Sequence, residues 1–175
     1  MSCVKKYILP FLFSAFLFGK TEIGFSQDVD YKAYTLFLYN FMKYIEWPSA
    51  EGDFVIGVVG DSPIKKDLTS LSETKKVKGR KIVIKIISSP DDALFCHMIY
   101  IPSGKSSMTK QIAEKVKGKS ILLVGEREGL AKKGAAISFA INEDDALQFD
   151  INKSVLDGNN LKIANVLVQL GILVG

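Results

Sequence analysis

The chain has 175 residues, of which 47% are hydrophobic and 24% charged, a composition typical of one globular domain. The formal net charge is +4, and it falls to +2 if residues 1–26 are removed, because 20 basic and 18 acidic side chains then remain. A charge so close to balance argues against nucleic acid or a polyanionic substrate as the main partner.

The first 26 residues have the pattern of a cleavable secretory signal peptide. Two lysines precede an uncharged apolar run at residues 7–18, and small side chains then mark a cleavage site after Ser26. The apolar run is too short for a membrane-spanning helix, which needs about 20 residues, so an uncleaved anchor is the weaker alternative. The sequence therefore predicts a signal peptide at residues 1–26 and one exported, periplasmic domain at residues 27–175.

An amphipathic helix is predicted near the start of the exported domain. Asp28 or Asp30 is expected to cap its first turn, and apolar residues recur at three- and four-residue spacing from residue 31 to 46. Pro48 is expected to end the helix, because the residue before a proline is disfavoured in the α region. The predicted core stripe is formed by Tyr34, Phe37, Leu38, Phe41 and Ile45.

Short strands and helices alternate after this first helix, the pattern of parallel strands with crossover helices. An acidic turn at residues 142–145 then joins two runs expected to form an antiparallel hairpin. The predicted fold is an α/β three-layer sandwich, with a mixed sheet of about six strands, a parallel centre and an antiparallel edge hairpin. The predicted strands are residues 54–59, 81–87, 96–101, 120–124, 135–141 and 147–151, and the later helices are residues 64–71, 108–116 and 156–173.

The sequence offers few groups for catalysis or metal binding. The single histidine, His97, lies in a predicted buried strand, where it is more often a hydrogen-bonded core residue than a general base. Without residues 1–26, Cys96 is the one cysteine, so no intramolecular disulfide is expected. Its apolar neighbours favour a buried, unreactive thiol over an intermolecular linker. We expect no catalytic residues, no metal and no cofactor.

Charged clusters have ordinary interpretations. The basic run at residues 75–81 is expected to be a solvated loop, with a patch for anionic lipid or an acidic protein face as the alternative. The acidic clusters at residues 91–92 and 143–145 are expected to be solvated turns, because they lack the ligand spacing of an EF-hand.

Aromatic residues are concentrated around the first helix. Seven of the twelve aromatic residues after residue 26 lie between residues 31 and 47, more than one core stripe buries. A partner-binding face is one interpretation, because Tyr and Trp are enriched at interfaces, and a helix buried deeply by its own domain is the other. Tyr39 lies more than about 90° round the helix from Phe37 and is expected to face away from the sheet. The candidate partner-binding residues are Tyr39, Tyr44 and Trp47.

Several short motifs follow one another in a recognisable order. Asn-Phe-x-x-Tyr-x-x-Trp-Pro occupies residues 40–48, an apolar run with two glycines occupies residues 54–60, and Cys96-His97 opens a later strand. This ordered set resembles the YfiR family of exported α/β proteins over residues 31–173. The motif positions are Tyr44, Trp47, Pro48, Gly57, Gly60, Gly79, Arg80, Cys96, Gly134 and Asn152.

The resemblance implies a periplasmic regulator without catalytic activity. The best-known members of the family bind the periplasmic sensor domain of a membrane diguanylate cyclase and hold it inactive, which lowers cyclic-di-GMP and biofilm output. The resemblance also implies disulfides in many members, whereas Cys96 has no partner in the exported domain. Redox control through an intramolecular disulfide is therefore not expected here.

The expected partner is thus the periplasmic domain of a membrane sensor, with a homodimer as a second outcome. Neither nucleic acid nor membrane insertion after signal cleavage is expected. A periplasmic carrier or sensor of a small ligand is the alternative function, with its site in the crevice at the carboxyl ends of the strands, near residues 60–62. A hydrolase is disfavoured because no nucleophile–base pair is evident.

Overall fold

The computed structural model describes residues 30–48 and 51–175, which form an eight-stranded mixed sheet and a two-stranded antiparallel sheet. The helices are α1 (Tyr31–Tyr44), α2 (Ile64–Thr74), α3 (Thr109–Val116), α4 (Lys153–Gly158) and α5 (Asn165–Leu170). The strands are β1 (Ile45–Glu46), β2 (Phe54–Val59), β3 (Lys76–Val77), β4 (Arg80–Ile87), β5 (Met98–Ile101), β6 (Leu122–Gly125), β7 (Ile137–Ile141), β8 (Leu147–Ile151), β9 (Lys162–Ile163) and β10 (Ile172–Leu173).

The large sheet has the order β10-β8-β7-β6-β5-β2-β4-β3. Its centre, from β4 through β2, β5 and β6 to β7, is parallel, whereas β3 and β8 run antiparallel to their neighbours β4 and β7. The predicted α/β sandwich with a parallel centre and an antiparallel edge hairpin is confirmed. The strand number exceeds the prediction because β3 and β10 have two residues each, too few to produce a period in the sequence.

Successive strand residues point to opposite faces of the sheet, so the domain has two apolar cores. On one face, Met98 and Tyr100 pack with residues of α1 and α2, including Phe41 and Leu68. The opposite core contains Ile99 and its strand neighbours together with residues of α3. Helices thus cover both faces, which is why the central strands read as uninterrupted apolar runs.

Helix α1 begins at Asp30, whose carboxylate accepts hydrogen bonds from the Lys32 and Ala33 N–H groups. Leu38, Phe41 and Ile45 are fully buried, as predicted. The helix ends at Tyr44, two residues before its predicted end, because Ile45 and Glu46 pair with β9. The predicted signal peptide and the alternative cap Asp28 lie outside the described residues.

The aromatic residues of α1 mainly contribute to the core. Phe37 and Phe41 pack edge-on against Phe149 in β8, with ring centroids 5.6 and 5.0 Å apart. Tyr34 and Phe37 are half-buried against Phe139 in β7. Of the two interpretations of the aromatic concentration, these contacts favour the helix buried by its own domain.

The predicted single helix at residues 156–173 is wrong. Helix α4 ends at Gly158, and Asn160 has a positive φ of 55° that stops helical geometry. The chain then forms β9, α5 and β10 in turn. Apolar side chains alone could not reveal these breaks, because they serve the sheet edge as well as a helix.

The sequence predicts a loop for the basic run at residues 75–81, and this is wrong. The run contains the edge strand β3 and its hairpin turn to β4. Lys78 and Gly79 both have positive φ, 49° and 82°, as the two central residues of a type I′ turn require. The lysine side chains of the run are exposed, as predicted, and charge on an edge strand discourages pairing with another sheet.

No helix among the described residues has the length and apolar character that crossing a bilayer demands.

Candidate functional site

Four side chains from distant parts of the sequence meet at the amino ends of the central strands. Phe54 begins β2, Arg80 begins β4, and His97 directly precedes β5. Neighbouring parallel strands start at the same edge of a sheet, so these residues are brought together by topology. Trp47, which follows β1, completes the group, and we call these four residues the amino-edge cluster.

Trp47 is fixed in position by a hydrogen bond and by ring packing. Its indole Nε1–H donates to the carbonyl oxygen of His97 over 3.1 Å. The indole ring stands perpendicular to the ring of Phe54, with centroids 5.0 Å apart. Phe54 in turn stacks on the His97 imidazole, also at 5.0 Å. The three rings thus form one packed unit, in which Phe54 is buried and the rings of Trp47 and His97 are half-buried.

Arg80 holds the segment that precedes β2. Its Nε–H donates to the Gly52 carbonyl oxygen over 2.7 Å, and Nη2 donates to the carbonyl oxygens of Glu51 and Asp53, each over 2.9 Å. The guanidinium carbon lies 5.4 Å from the centroid of the Phe54 ring, a cation–π contact. A planar group with five donors is suited to three carbonyl oxygens, whereas a lysine ammonium is not.

The sequence predicts His97 within a buried strand. In the structure it lies just before β5 and is a half-buried member of this cluster. Its Nδ1 accepts a hydrogen bond from the Val55 N–H over 3.1 Å, and Nε2 lies 2.8 Å from Arg80 Nη2. Burial, and secondarily the positive charge of Arg80, lowers the pKa of the His97 imidazole. Protonation makes both ring nitrogens donors, which would oppose the Val55 N–H and the Arg80 cation. The cluster therefore favours neutral imidazole.

We expect the free energy of unfolding to fall as the pH is lowered from 7 towards 5. In the unfolded chain the pKa of His97 is near its ordinary value of 6.5, and in the folded chain it is lower. The unfolded state thus binds the proton more readily below this value, so stability is full above it and declines beneath it. Urea unfolding of the parent and of His97→Asn, which keeps an acceptor for Val55, checks this. Equal slopes of stability against pH would contradict it.

Cys96 is buried, as predicted, with 5% of its surface exposed. Burial is the main cause that raises the pKa of its thiol to about 11, so very little thiolate exists at neutral pH. The thiol lies beside Gly57, because a Cβ placed on that glycine would be 2.8 Å from Sγ. The position of Cys96 thus agrees with a packing role.

The predicted partner-binding residues have different surroundings. Tyr39 is expected to face away from the sheet, but it packs against the domain, because α2 and β3 extend beside α1. Its ring is half-buried against the core, and its hydroxyl donates to the Lys76 carbonyl oxygen over 3.1 Å. Tyr44 is 39% exposed, and its ring lies 5.0 Å from the Lys43 ammonium. Trp47 is half-buried in the amino-edge cluster. Partner binding by these three residues stays a prediction.

Two apolar side chains that sequence reasoning missed lie next to Trp47. Phe95 is 71% exposed and Leu94 is 40% exposed. Together with Trp47, Lys119 and Ser120 they line a groove of about 270 Å³. We call Leu94, Phe95 and the exposed edge of Trp47 the amino-edge patch.

In the sequence, Leu94 and Phe95 directly precede the third predicted strand, residues 96–101, and continue its apolar run. Instead they end a 3₁₀ helix, Pro90–Phe95, that begins with a capping box between Ser89 and Asp92. Ser-Pro-x-Asp is the sequence signal that could have identified this short helix.

A second groove, of about 420 Å³, lies on the other side of Trp47. Pro48 and Leu161 give it apolar walls, and Glu46 and Lys162 give it charges of both signs. Trp47 therefore separates two grooves along one edge of the sheet.

The crevice proposed for a small ligand is occupied in part by side chains of the protein itself. A Cβ on Gly60, at the end of β2, would lie 2.8 Å from the Lys105 side chain. Glu126, just after β6, accepts hydrogen bonds from the Ser103 N–H over 2.9 Å and from the Tyr31 hydroxyl over 3.4 Å. The carboxyl edge of the sheet is thus internally bonded around Gly60 and Glu126, whereas Ser62 and Pro63 line an open groove of about 420 Å³ with residues of α2.

Residues 31–172 match the model of a protein family described as YfiR/HmsC-like. This match covers well over half of the chain. The chain belongs to the YfiR/HmsC-like family. The resemblance drawn from the ordered motifs is therefore confirmed. No protein with a curated description matches the sequence.

Two solved structures are similar in fold to this YfiR/HmsC-like chain. A conserved domain protein from Vibrio cholerae is 12% identical, with a TM-score of 0.56, over 82% of this chain and 60% of that one. An ABC domain from Streptococcus pneumonia, in complex with L-Trp, is 11% identical, with a TM-score of 0.50, over 69% of this chain and 55% of that one. This chain thus spans less than two thirds of each of those chains, and the likeness concerns the fold alone.

The motif positions of the YfiR/HmsC-like chain fall into separate regions. Trp47, Pro48, Arg80 and Cys96 lie at or beside the amino-edge cluster. Gly134 and Asn152 lie apart from it: the Asn152 side chain accepts from the Val155 N–H over 3.1 Å and donates to the Ala131 carbonyl oxygen over 2.9 Å. The family-motif positions therefore do not all belong to a single functional site.

Proposed function

We propose that this chain is an exported, non-catalytic regulator that binds the periplasmic domain of a membrane sensor. In its specific form, the proposal is that the sensor is a diguanylate cyclase and that binding holds it inactive. The output would then be less cyclic-di-GMP and less biofilm. Membership of the YfiR/HmsC-like family supports it. The signal-peptide pattern of residues 1–26 and the nearly balanced charge of the remaining domain agree with it.

The amino-edge patch is the observation that carries the proposal. Phe95 is 71% exposed and Leu94 beside it is 40% exposed, and neither residue belongs to the two apolar cores. Exposed apolar groups that are contiguous on a surface mark interaction sites. Trp47 adds a ring whose orientation is already fixed by the His97 carbonyl and by Phe54. A preorganised aromatic anchor loses little conformational freedom on binding, which is why such residues dominate interface energies.

The surroundings of the patch fit a specific protein partner. Lys119 and Ser120 border the groove beside Phe95, and Glu46 and Lys162 border the groove beyond Trp47. An apolar centre with a polar rim of mixed charge is the usual anatomy of a non-obligate interface. A surface that binds anionic lipid is expected to have a uniformly basic rim, and the rim of this patch has charges of both signs.

Site-specific photocrosslinking in intact cells tests the location of the interface. A benzoylphenylalanine side chain at position 95 should trap a membrane protein with a periplasmic domain, identified by mass spectrometry. The matched control is the same group at Leu36, which is 60% exposed on α1. Equal trapping of that protein at positions 36 and 95, or none at 95, would contradict the proposed surface.

The variant Phe95→Ala should weaken partner binding by at least about tenfold, because truncation of an aromatic hot spot costs roughly 2 kcal/mol. Its thermal midpoint should stay close to that of the parent, since the side chain is largely exposed. Leu36→Ala should leave partner binding unchanged. In the host, Phe95→Ala should raise cyclic-di-GMP towards the level of the deletion strain. Full repression by Phe95→Ala would contradict the proposed role of the patch.

A further inference from the structure

A groove of about 290 Å³ lies between α3, the turn before β7, and α4, and it shares no lining residue with the two grooves beside Trp47. Its apolar lining comes from Ala113, Gly134 and Val155, together with the open surface above Gly158. This volume is at the lower end of the range for small-molecule sites, roughly 300 Å³ and above. The groove is therefore of a size for a metabolite rather than for a protein segment. We call it the α3–α4 groove.

The rim of the α3–α4 groove is positively charged. Lys110, Lys117 and Lys133 line it, with Glu114 as the single acidic residue among its lining. Within residues 30–48 and 51–175, the ion pairs are Lys115 with Asp91 and Lys153 with Asp157, and neither includes a rim lysine. The rim thus has three lysines without an ion-pair partner among the described residues and one carboxylate. This excess of positive charge favours the binding of an anion.

The walls of the groove are held in place by hydrogen bonds. The buried Asn159 accepts from the Gly118 N–H over 2.8 Å and donates to the Ile121 carbonyl oxygen over 3.1 Å, which ties α4 to the segment after α3. Asn152 caps α4 through the Val155 N–H. A groove fixed in this way is preformed, so a ligand would not have to order its walls.

Two glycines set the shape of the groove. At Gly134, with φ of 106°, a Cβ would lie 2.9 Å from the Ala113 Cβ, so only glycine allows this close approach. At Gly158, which ends α4, a Cβ would meet no atom within 4 Å. A larger side chain at position 158 would thus enter open space in the groove without displacing the fold.

We propose that the α3–α4 groove binds a small organic anion with an apolar body. The apolar floor takes the body of the ligand, and the lysine ammonium groups at the rim pair with its anionic group. The proposal concerns a site separate from the amino-edge patch and goes beyond the regulator function. It is independent of which membrane protein the patch contacts.

Octanoate is a suitable probe, with octylammonium as a control that has the same apolar tail and the opposite charge. Titration of the ¹⁵N-labelled exported protein should shift the amide signals of Ala113, Gly134 and Gly158, and the shifts should saturate. Octanoate should bind at least about tenfold more tightly than octylammonium if charge selects the ligand. Equal binding of the two probes, or saturable shifts elsewhere, would overturn the proposal.

Two variants separate the contributions of shape and charge. Gly158→Leu should abolish the shifts by filling the groove, while its thermal midpoint is unchanged or higher, because glycine is a poor helix residue. Lys117→Glu/Lys133→Glu should weaken octanoate binding by at least about tenfold. The matched control Lys65→Glu/Lys66→Glu changes two exposed lysines on α2 and should bind like the parent. Octanoate affinity retained in both groove variants would also overturn the proposal.

Discussion

Replacing Arg80 with methionine should lower the free energy of unfolding by about 2 kcal/mol, because a charged donor is then removed from three carbonyl oxygens at once. Methionine keeps the apolar stem of the side chain but has no donor for residues 51–53. The cation–π contact with Phe54 is lost as well. Arg80→Lys should recover only part of the loss, since an ammonium cannot match the geometry of the guanidinium.

Urea unfolding followed by fluorescence measures this effect well, because Trp47 is the single tryptophan of the chain and contacts the cluster directly. The control Lys81→Met changes the next residue, whose side chain is exposed, and should cost little. If Arg80→Met and Lys81→Met unfold at the same urea concentration, Arg80 does not hold the segment before β2.

Gly57→Ala should also destabilise the fold by about 2 kcal/mol, within the range for overpacked cores. The new Cβ would lie 2.3 Å from the Ile87 Cδ1 and 2.8 Å from the Cys96 Sγ, in a part of the sheet covered on both faces. Neighbouring side chains must leave their preferred rotamers to make room. Gly104→Ala is the matched control, because a Cβ there meets no atom within 4 Å, and its midpoint should change little.

The contact with the thiol is tested by a double-mutant cycle. Cys96→Ala removes Sγ, so Gly57→Ala should cost less in that background than in the parent, by at least about 0.5 kcal/mol. Part of the cost should persist, because Ile87 still occupies the same space. Strict additivity would mean that the backbone shifts to accommodate the methyl group, and that the thiol is no obstacle.

The central strands were predictable from sequence because they are covered on both faces. Each appears as a run of apolar residues between turn signals, and the predicted limits of β2 agree with the structure. The elements after residue 151 were not predictable in this way. Their apolar residues form short helices and edge strands whose positions depend on partners such as Asp150 in β8.

The candidate site was predictable only in part, for a related reason. Trp47 is predicted as a partner-binding aromatic at the end of a helix, and it does line the same groove as Leu94 and Phe95. Phe95 was missed because an apolar run does not reveal which of its residues a capped 3₁₀ helix turns outward. Arg80 and His97 lie 17 positions apart in sequence and touch because their strands both flank β2. No spacing rule along the chain encodes that contact.

The parallel pairing at the centre of the sheet also affects how the domain folds. Phe54 pairs with Ile82 and Ile56 with Met98, so the chain must close long loops before either contact forms. Closing a loop costs entropy before the contacts that it allows can stabilise the chain. Domains dominated by such distant pairings therefore fold slowly, on the order of milliseconds to seconds. The amino-edge cluster joins three of these strand starts, so we expect it to form late in folding. Before it forms, Trp47 would have neither its hydrogen bond nor its ring partners, and the surface beside Phe95 would have no fixed shape.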